Sequence, residues 1–79
     1  MMATRQIVSS QDVESIRELI EEHAAELWDV DPNTGRVDWD DWYLRFERTH
    51  DVDLPSDYDD PAMRRLQAIA RAAIREARL

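Results

Sequence analysis

The sequence predicts an all-α fold, a small three-helix domain with two acidic loops. Three observations lead to this prediction. Apolar residues recur at three- and four-residue spacing in three segments, capping residues precede these segments, and strand patterns are absent beyond a short extended piece at Arg36–Val37. The chain has 79 residues, enough for a single helical domain spanning residues 1–79, of which residues 1–8 are expected to be disordered.

The first predicted helix spans residues 10–28. Ser9 is placed to cap it and Asp12 follows three residues later, as in a capping box, while Val8 can pack against Val13. Its apolar face consists of Val13, Ile16, Ile20, Ala24 and Leu27.

The second predicted helix spans residues 39–50 and carries four aromatic side chains on one face. Asp38 can cap it, with Asp41 three residues on, and Val37 and Trp42 occupy the positions of a hydrophobic staple. The aromatic residues are Trp39, Trp42, Tyr43 and Phe46. We expect this face to anchor the core.

The third predicted helix spans residues 61–78, with Pro61 at its first position behind Asp60. Its apolar stripe consists of Met63, Leu66, Ile69, Ala70, Ala73, Ile74 and Ala77. The connection before it is predicted to be a packed loop, because Val52, Leu54 and Tyr58 alternate enough to point inward.

Charge is divided unevenly along the chain. There are 18 acidic and 10 basic residues, all of the latter arginine, and the net charge is −8. Residues 1–60 carry a net charge of −12, and residues 61–79 carry +4. Phosphate contacts drive nucleic-acid affinity, so this balance argues against general nucleic-acid binding and favours a protein partner with a basic surface. The acids expected to face such a partner are Asp40, Asp51, Asp53, Asp57 and Asp59.

The loop between the first two helices is rich in oxygen-bearing side chains. Asp29, Asp31 and Asn33 alternate before Gly35, and the loop then continues through Arg36, the apolar Val37, Asp38 and the closing Asp41. Over residues 13–50 this arrangement resembles an EF-hand, a helix-loop-helix unit that binds a hard cation.

The resemblance implies a Ca²⁺ or Mg²⁺ site. Its ligands would be the side chains of Asp29, Asp31, Asn33, Asp38 and Asp41 and the carbonyl of Arg36. The loop is one residue longer than the family pattern, and Asp41 stands where the family usually has glutamate. The shorter carboxylate lowers the expected affinity and moves selectivity toward Mg²⁺. The same residues also suit a polar turn followed by a helix cap, without an ion.

A basic stripe on the third helix consists of Arg64, Arg71, Arg75 and Arg78. One interpretation is contact with nucleic acid or an acidic partner. The other, which we favour, is a solvated helix face that the acidic loops partly neutralise. The helix contains no aromatic residue on which a base could stack.

Neither histidine predicts catalysis. His23 and His50 lack a partner four residues away, and we expect both at an edge or a cap. The serines have no nucleophile-elbow context, and a single glycine excludes a glycine-rich phosphate loop. We therefore expect a protein that is not an enzyme and requires no cofactor.

Trp28, Trp39 and Trp42 are most simply core residues. Alternatively, one of them lies at the surface beside the acidic loops and marks a partner site.

The sequence contains no cysteine and no apolar run near the roughly 18 residues that span a bilayer, so we expect a cytoplasmic protein without a membrane partner. The favoured function is that of an acidic adaptor or inhibitor domain that contacts a basic protein surface. The alternatives are cation binding by an EF-hand-like regulatory domain and nucleic-acid binding through the basic stripe. Self-association stays open, because patterning cannot decide it.

Overall fold

The part of the chain that the structure describes contains four helical segments and one pair of very short strands, joined by loops. The structure is a computed structural model that describes residues 6–7, 10–55, 57 and 59–79. In chain order the elements are β1 (Gln6–Ile7), α1 (Ser10–Ser15), α2 (Arg17–Ala25), α3 (Trp39–His50), β2 (Val52–Asp53) and α4 (Pro61–Ala77). The predicted all-α character is confirmed. The predicted count of three helices is wrong for the first helix, which is divided.

The strands were not predicted. β1 and β2 are parallel, with Gln6 opposite Val52 and Ile7 opposite Asp53. Strands of two residues leave no alternating pattern in a sequence, which explains why periodicity missed them. They place the beginning of the described chain beside the end of α3.

The first predicted helix differs from the structure in two ways. Ile16 leaves the helical region with φ −107° and ψ 18°, and this separates α1 from α2. Hydrogen bonds still cross the break, because the Ile16 amide donates to the Asp12 carbonyl at 3.1 Å. The helix then ends at Ala25 rather than at residue 28, because Leu27 adopts a left-handed conformation with φ 61°. The predicted roles of Val8 and Ser9 fall outside the described residues.

α3 begins and ends where the sequence predicts. The Asp38 carboxylate accepts a hydrogen bond from the Asp41 amide at 3.4 Å, as expected of an N-cap. At the other end Asp51 has φ 54°, a left-handed conformation that stops the helix. The amide of Leu54 donates to the Glu47 carboxylate at 2.8 Å, which fastens the next loop to α3.

α4 also begins as predicted. The Asp60 carboxylate accepts a hydrogen bond from the Ala62 amide at 2.8 Å, and Pro61 takes the first helical position. The helix ends at Ala77, one residue before the predicted end.

The core draws on every helix. Its buried apolar residues are Val13, Ile20, Ala24, Trp42, Tyr43, Phe46, Val52, Ala62, Met63, Leu66, Ile69, Ala70 and Ile74. Ile16, Leu27, Trp39, Leu54 and Ala73 are partly buried against them. The predicted apolar faces are therefore confirmed, except that Ala77 is exposed. The inward position of Val52 and Leu54 is also confirmed, and Tyr58 lies outside the described residues.

α4 packs along α1 and α2, while α3 joins them through its aromatic side chains. The Gln67 side chain donates a hydrogen bond to the Tyr43 hydroxyl, linking α4 to α3. Arg65 of α4 forms an ion pair with Glu14 of α1. None of the helices in the described ranges combines the length and apolar character needed to cross a bilayer.

Candidate functional site

The loop between α2 and α3 folds back on itself as a narrow hairpin. Val30 and Val37 form an isolated antiparallel bridge, and the Asp38 amide donates to the Asp29 carbonyl at 2.9 Å. At the tip, the Gly35 amide donates to the Asp31 carbonyl at 2.8 Å. Gly35 has φ 75°, which a residue without a Cβ atom adopts at little cost. Gly35 therefore forms part of the turn that closes the hairpin.

The predicted metal ligands of this loop make hydrogen bonds and ion pairs within the protein. The Asp31 carboxylate accepts hydrogen bonds from the Asn33 amide at 2.8 Å and the Thr34 amide at 3.3 Å. Asp38 caps α3, and Asp29 pairs with Arg45 at 3.1 Å. Within the described ranges, no group of three or more histidine, cysteine, aspartate or glutamate side chains is arranged to hold a metal ion. Cation binding by this loop stays a prediction.

The carboxylate of Asp41 lies near other carboxylates. The neighbouring Asp38 carboxylate raises the pKa of Asp41 most, and Asp29 raises it further, while Arg45 opposes both. Arg45 also forms an ion pair with Asp29, so Asp29 and Asp41 share one guanidinium group. The negative potential at the start of α3 is only partly balanced from within the protein.

Two large apolar side chains are exposed close to these carboxylates. Trp28 is 44% exposed and Leu44 is 51% exposed. The Arg45 guanidinium lies over the Trp28 ring, 4.8 Å from its centre. Arg45 also lines an open cavity together with Asp41, Leu44, Arg48 and Thr49. We call Trp28, Leu44, Arg45 and the carboxylates of Asp29, Asp38 and Asp41 the Trp28 surface. The interpretation that one tryptophan lies at the surface beside acids is confirmed for Trp28.

The acids predicted to meet a partner do not lie together. Asp40 is in the first turn of α3, whereas Asp51, Asp53, Asp57 and Asp59 follow its other end, and a helix of 12 residues is about 18 Å long. The Asp57 carboxylate accepts a hydrogen bond from the Asp59 amide at 2.9 Å. Asp59 in turn pairs with Arg64 at 3.5 Å. Only Asp40 adjoins the Trp28 surface in sequence.

A second site lies between the hairpin and the C-terminal half of α4. It is an open groove with a volume of about 680 Å³, and we call it the basic groove. Its lining residues are Gly35, Arg36, Val37, Trp39, Arg71, Ile74, Arg75, Arg78 and Leu79. Three arginines of the predicted basic stripe are thus brought together, while Arg64 lies apart with Asp59.

The protein positions two of the groove arginines. The Arg71 guanidinium lies over the Trp39 ring at 5.5 Å from its centre, and Trp39 stacks on Tyr43. Arg78 donates to the carbonyl of Pro32 at 3.4 Å. A Cβ atom on Gly35 would lie 1.9 Å from an Arg78 side-chain nitrogen, so the glycine also makes room for this arginine.

His23 contradicts the prediction of an edge or capping residue. It is only 5% exposed, and its ring meets the rings of Trp42, Phe46 and His50 at 5.0, 5.3 and 5.6 Å between centres. Burial lowers the pKa of His23, and the nearby His50 and Arg45 lower it further. The neutral form of His23 is therefore favoured in the folded protein.

Sequence reasoning missed Arg36 and Trp39 as members of the basic groove and missed the contact between the two histidines. Each of these contacts joins different elements of the fold, and spacing along one helix does not report them. The exposure of Trp28 had one local signal, since it directly precedes the polar loop that begins at Asp29.

Comparisons with known proteins supply no family for the chain. No protein-family model matches it, and no curated protein or solved structure matches it either.

Proposed function

We propose that this protein is a small non-enzymatic binding domain that contacts a basic protein surface through the Trp28 surface. The observation that carries the proposal is the exposure of Trp28 next to Asp29, which is the start of a carboxylate cluster. Partner binding would bury an indole ring that the isolated domain leaves 44% exposed.

Aromatic side chains concentrate binding energy at protein interfaces, because they bury a large area and lose little conformational entropy. The contact with Arg45 supports such a role for Trp28, since it restricts the ring before a partner arrives. Leu44 adds apolar area, and Arg45 links it to Trp28. The pairing of an aromatic anchor with arginine is the composition typical of an interface core.

The carboxylates supply the charge complementarity. The raised pKa of Asp41 indicates negative potential that Arg45 does not fully balance. A lysine or arginine from a partner would relieve this repulsion and would also be drawn to the surface from a distance. The overall charge of −8 acts in the same direction.

The proposal is tested by affinity capture from a lysate of the source cells at low salt, with the wild-type domain and two variants. Trp28→Ala should lose the captured partner, because it removes the anchor. Leu19→Ala is the matched control, since Leu19 is a large apolar residue of α2 that is 38% exposed and is not one of the residues of the Trp28 surface. It should retain the partner as well as the wild type does.

The salt dependence of capture provides the second criterion. Retention should fall as sodium chloride is added, because exposed charges are screened over about 8–10 Å at ordinary ionic strength. Equal capture of the partner by wild type and Trp28→Ala would contradict the proposal. Retention of the partner that does not change with sodium chloride concentration would also contradict it.

A further inference from the structure

Eight of the nine arginines in the described part of the chain fall into two groups according to their partners, and Arg48 belongs to neither group. Arg17, Arg45, Arg64 and Arg65 each pair with a carboxylate. Among the described residues, the four arginines that line the basic groove show no such pair, and no lining side chain is acidic. The groove therefore gathers positive charge in a chain where acids outnumber arginines by 18 to 10.

The contacts of these side chains distinguish the groove from an ordinary solvated helix face. Arg71 is held over the Trp39 ring, and Arg78 is held against the hairpin at Pro32 and Gly35. A guanidinium group that is already positioned loses less entropy when it binds an anion. Arg36 approaches from the hairpin and Arg75 from α4, so positive charge faces the groove from both of its walls.

The size of the groove and its surroundings limit the length of the ligand. The volume of about 680 Å³ lies within the range typical of small-molecule sites. Residues 1–60 carry a net charge of −12, so a long nucleic-acid strand or acidic peptide that left the groove would meet repulsion. A compact anion would stay among the arginines.

We propose that the basic groove binds a compact polyanion, a small molecule that carries two or more phosphate or carboxylate groups. The planar guanidinium fork donates two parallel hydrogen bonds to either group. Val37, Ile74 and Trp39 supply apolar area beside the charges, against which the nonpolar part of a ligand can pack. This site is separate from the Trp28 surface and does not depend on it.

The proposal is tested by isothermal titration calorimetry with sodium tripolyphosphate and, separately, with citrate, at ionic strength held constant with sodium chloride. Saturable one-to-one binding of either anion is expected, and the stronger of the two identifies phosphate or carboxylate as the preferred group. Arg75→Ala should weaken this binding by about tenfold to a hundredfold, because charge-assisted hydrogen bonds are lost.

Arg64→Ala is the matched control, because it removes the same charge from the same helix outside the groove. It should change the affinity by less than about twofold. Trp28→Ala should leave polyanion binding intact, which separates this test from that of the partner surface. Thermal melting checks that all three variants are folded.

Absence of saturable binding by both anions would overturn the proposal. Equal weakening by Arg64→Ala and Arg75→Ala would also overturn it, since that result indicates attraction by net charge alone. A single-stranded oligonucleotide that binds more tightly than tripolyphosphate does, and whose binding depends on Arg75, would show that the ligand is not compact.

Discussion

Trp28 lies between two residues with left-handed backbone conformations, Leu27 with φ 61° and Asp29 with φ 60°. This conformation costs a residue with a side chain about 1–2 kcal/mol, and aspartate tolerates it better than leucine. The cost at Leu27 is offset by its packing against the core. These two left-handed residues allow Leu27 to pack against the core while the next residue, Trp28, stays exposed. The strained backbone is therefore what places the Trp28 ring at the surface.

Asp41→Asn is predicted to stabilise the domain at neutral pH. Neighbouring carboxylates raise the pKa of Asp41 above its ordinary 3.8, so its charge opposes folding when it is ionised. The amide removes this repulsion and keeps the size of the side chain. Melting temperatures at about pH 7 should therefore rise, and the gain should vanish below about pH 3.8, where the wild-type carboxyl is protonated in both states. A lower melting temperature at neutral pH would contradict this account of the carboxylate cluster.

His23 is predicted to make stability fall in mild acid. Its pKa is lowered by folding, so the unfolded chain takes up a proton first, and the folded state loses stability as the pH drops below about 6.5. Urea unfolding between about pH 7 and about pH 5 measures this loss. His23→Phe keeps an aromatic ring beside Trp42 and Phe46 but cannot take up a proton. It should therefore reduce the slope of the free energy of unfolding plotted against pH. An unchanged slope in the variant would assign the titration to another group.

α3 is the element that combines the core with the proposed surface. Its buried side carries Trp42, Tyr43 and Phe46, and its outer side carries Leu44 and Arg45. A two-sided helix of this kind fixes the position of surface residues, because its aromatic side chains are packed in the core.

Two tryptophan variants should differ in how much they lower the stability of the domain, because one tryptophan lies in the core and the other at the surface. Trp42 is 0% exposed, so Trp42→Ala should cost about 3–5 kcal/mol, a large part of the roughly 5–15 kcal/mol that stabilises a small domain. Trp28→Ala should cost less than about 1 kcal/mol, mainly through the lost contact with Arg45. Urea unfolding curves followed by circular dichroism give both values. Similar losses in the two variants would mean that Trp28 is a core residue after all.

The sequence predicts elements well where their end signals are local. Asp38 with Asp41, and Asp60 with Pro61, lie next to the helices they cap, and both helices begin where these residues indicate. The break at Ile16 has no such signal, because an isoleucine on an apolar face fits a continuous helix equally well.

At the scale of the whole molecule, the basic groove could be predicted only in part. Arg71, Arg75 and Arg78 share one helix face, and helical spacing found them. Arg36 and Trp39 join them because the hairpin folds against α4, and that contact depends on packing between distant parts of the chain. The fold also places the Trp39 ring under Arg71, a contact that spacing within one helix does not report.

At the same scale, the two surfaces differ in charge. The Trp28 surface gathers carboxylates around one arginine, and the basic groove gathers four arginines with no acidic lining side chain in the described part of the chain. Surfaces of opposite charge attract ligands of opposite charge, so each can bind a different kind of ligand. The proposed partner site and the proposed anion site share no residue.

The measurement that tests the central claim most directly is the affinity of the captured partner as a function of salt, for the wild type and Trp28→Ala. The account predicts that the wild-type dissociation constant rises steadily with sodium chloride, because the contact is electrostatic, and that Trp28→Ala weakens binding by at least about 2 kcal/mol, equivalent to roughly thirtyfold, at every salt concentration. A wild-type affinity that is independent of salt, together with full binding by Trp28→Ala, would contradict it.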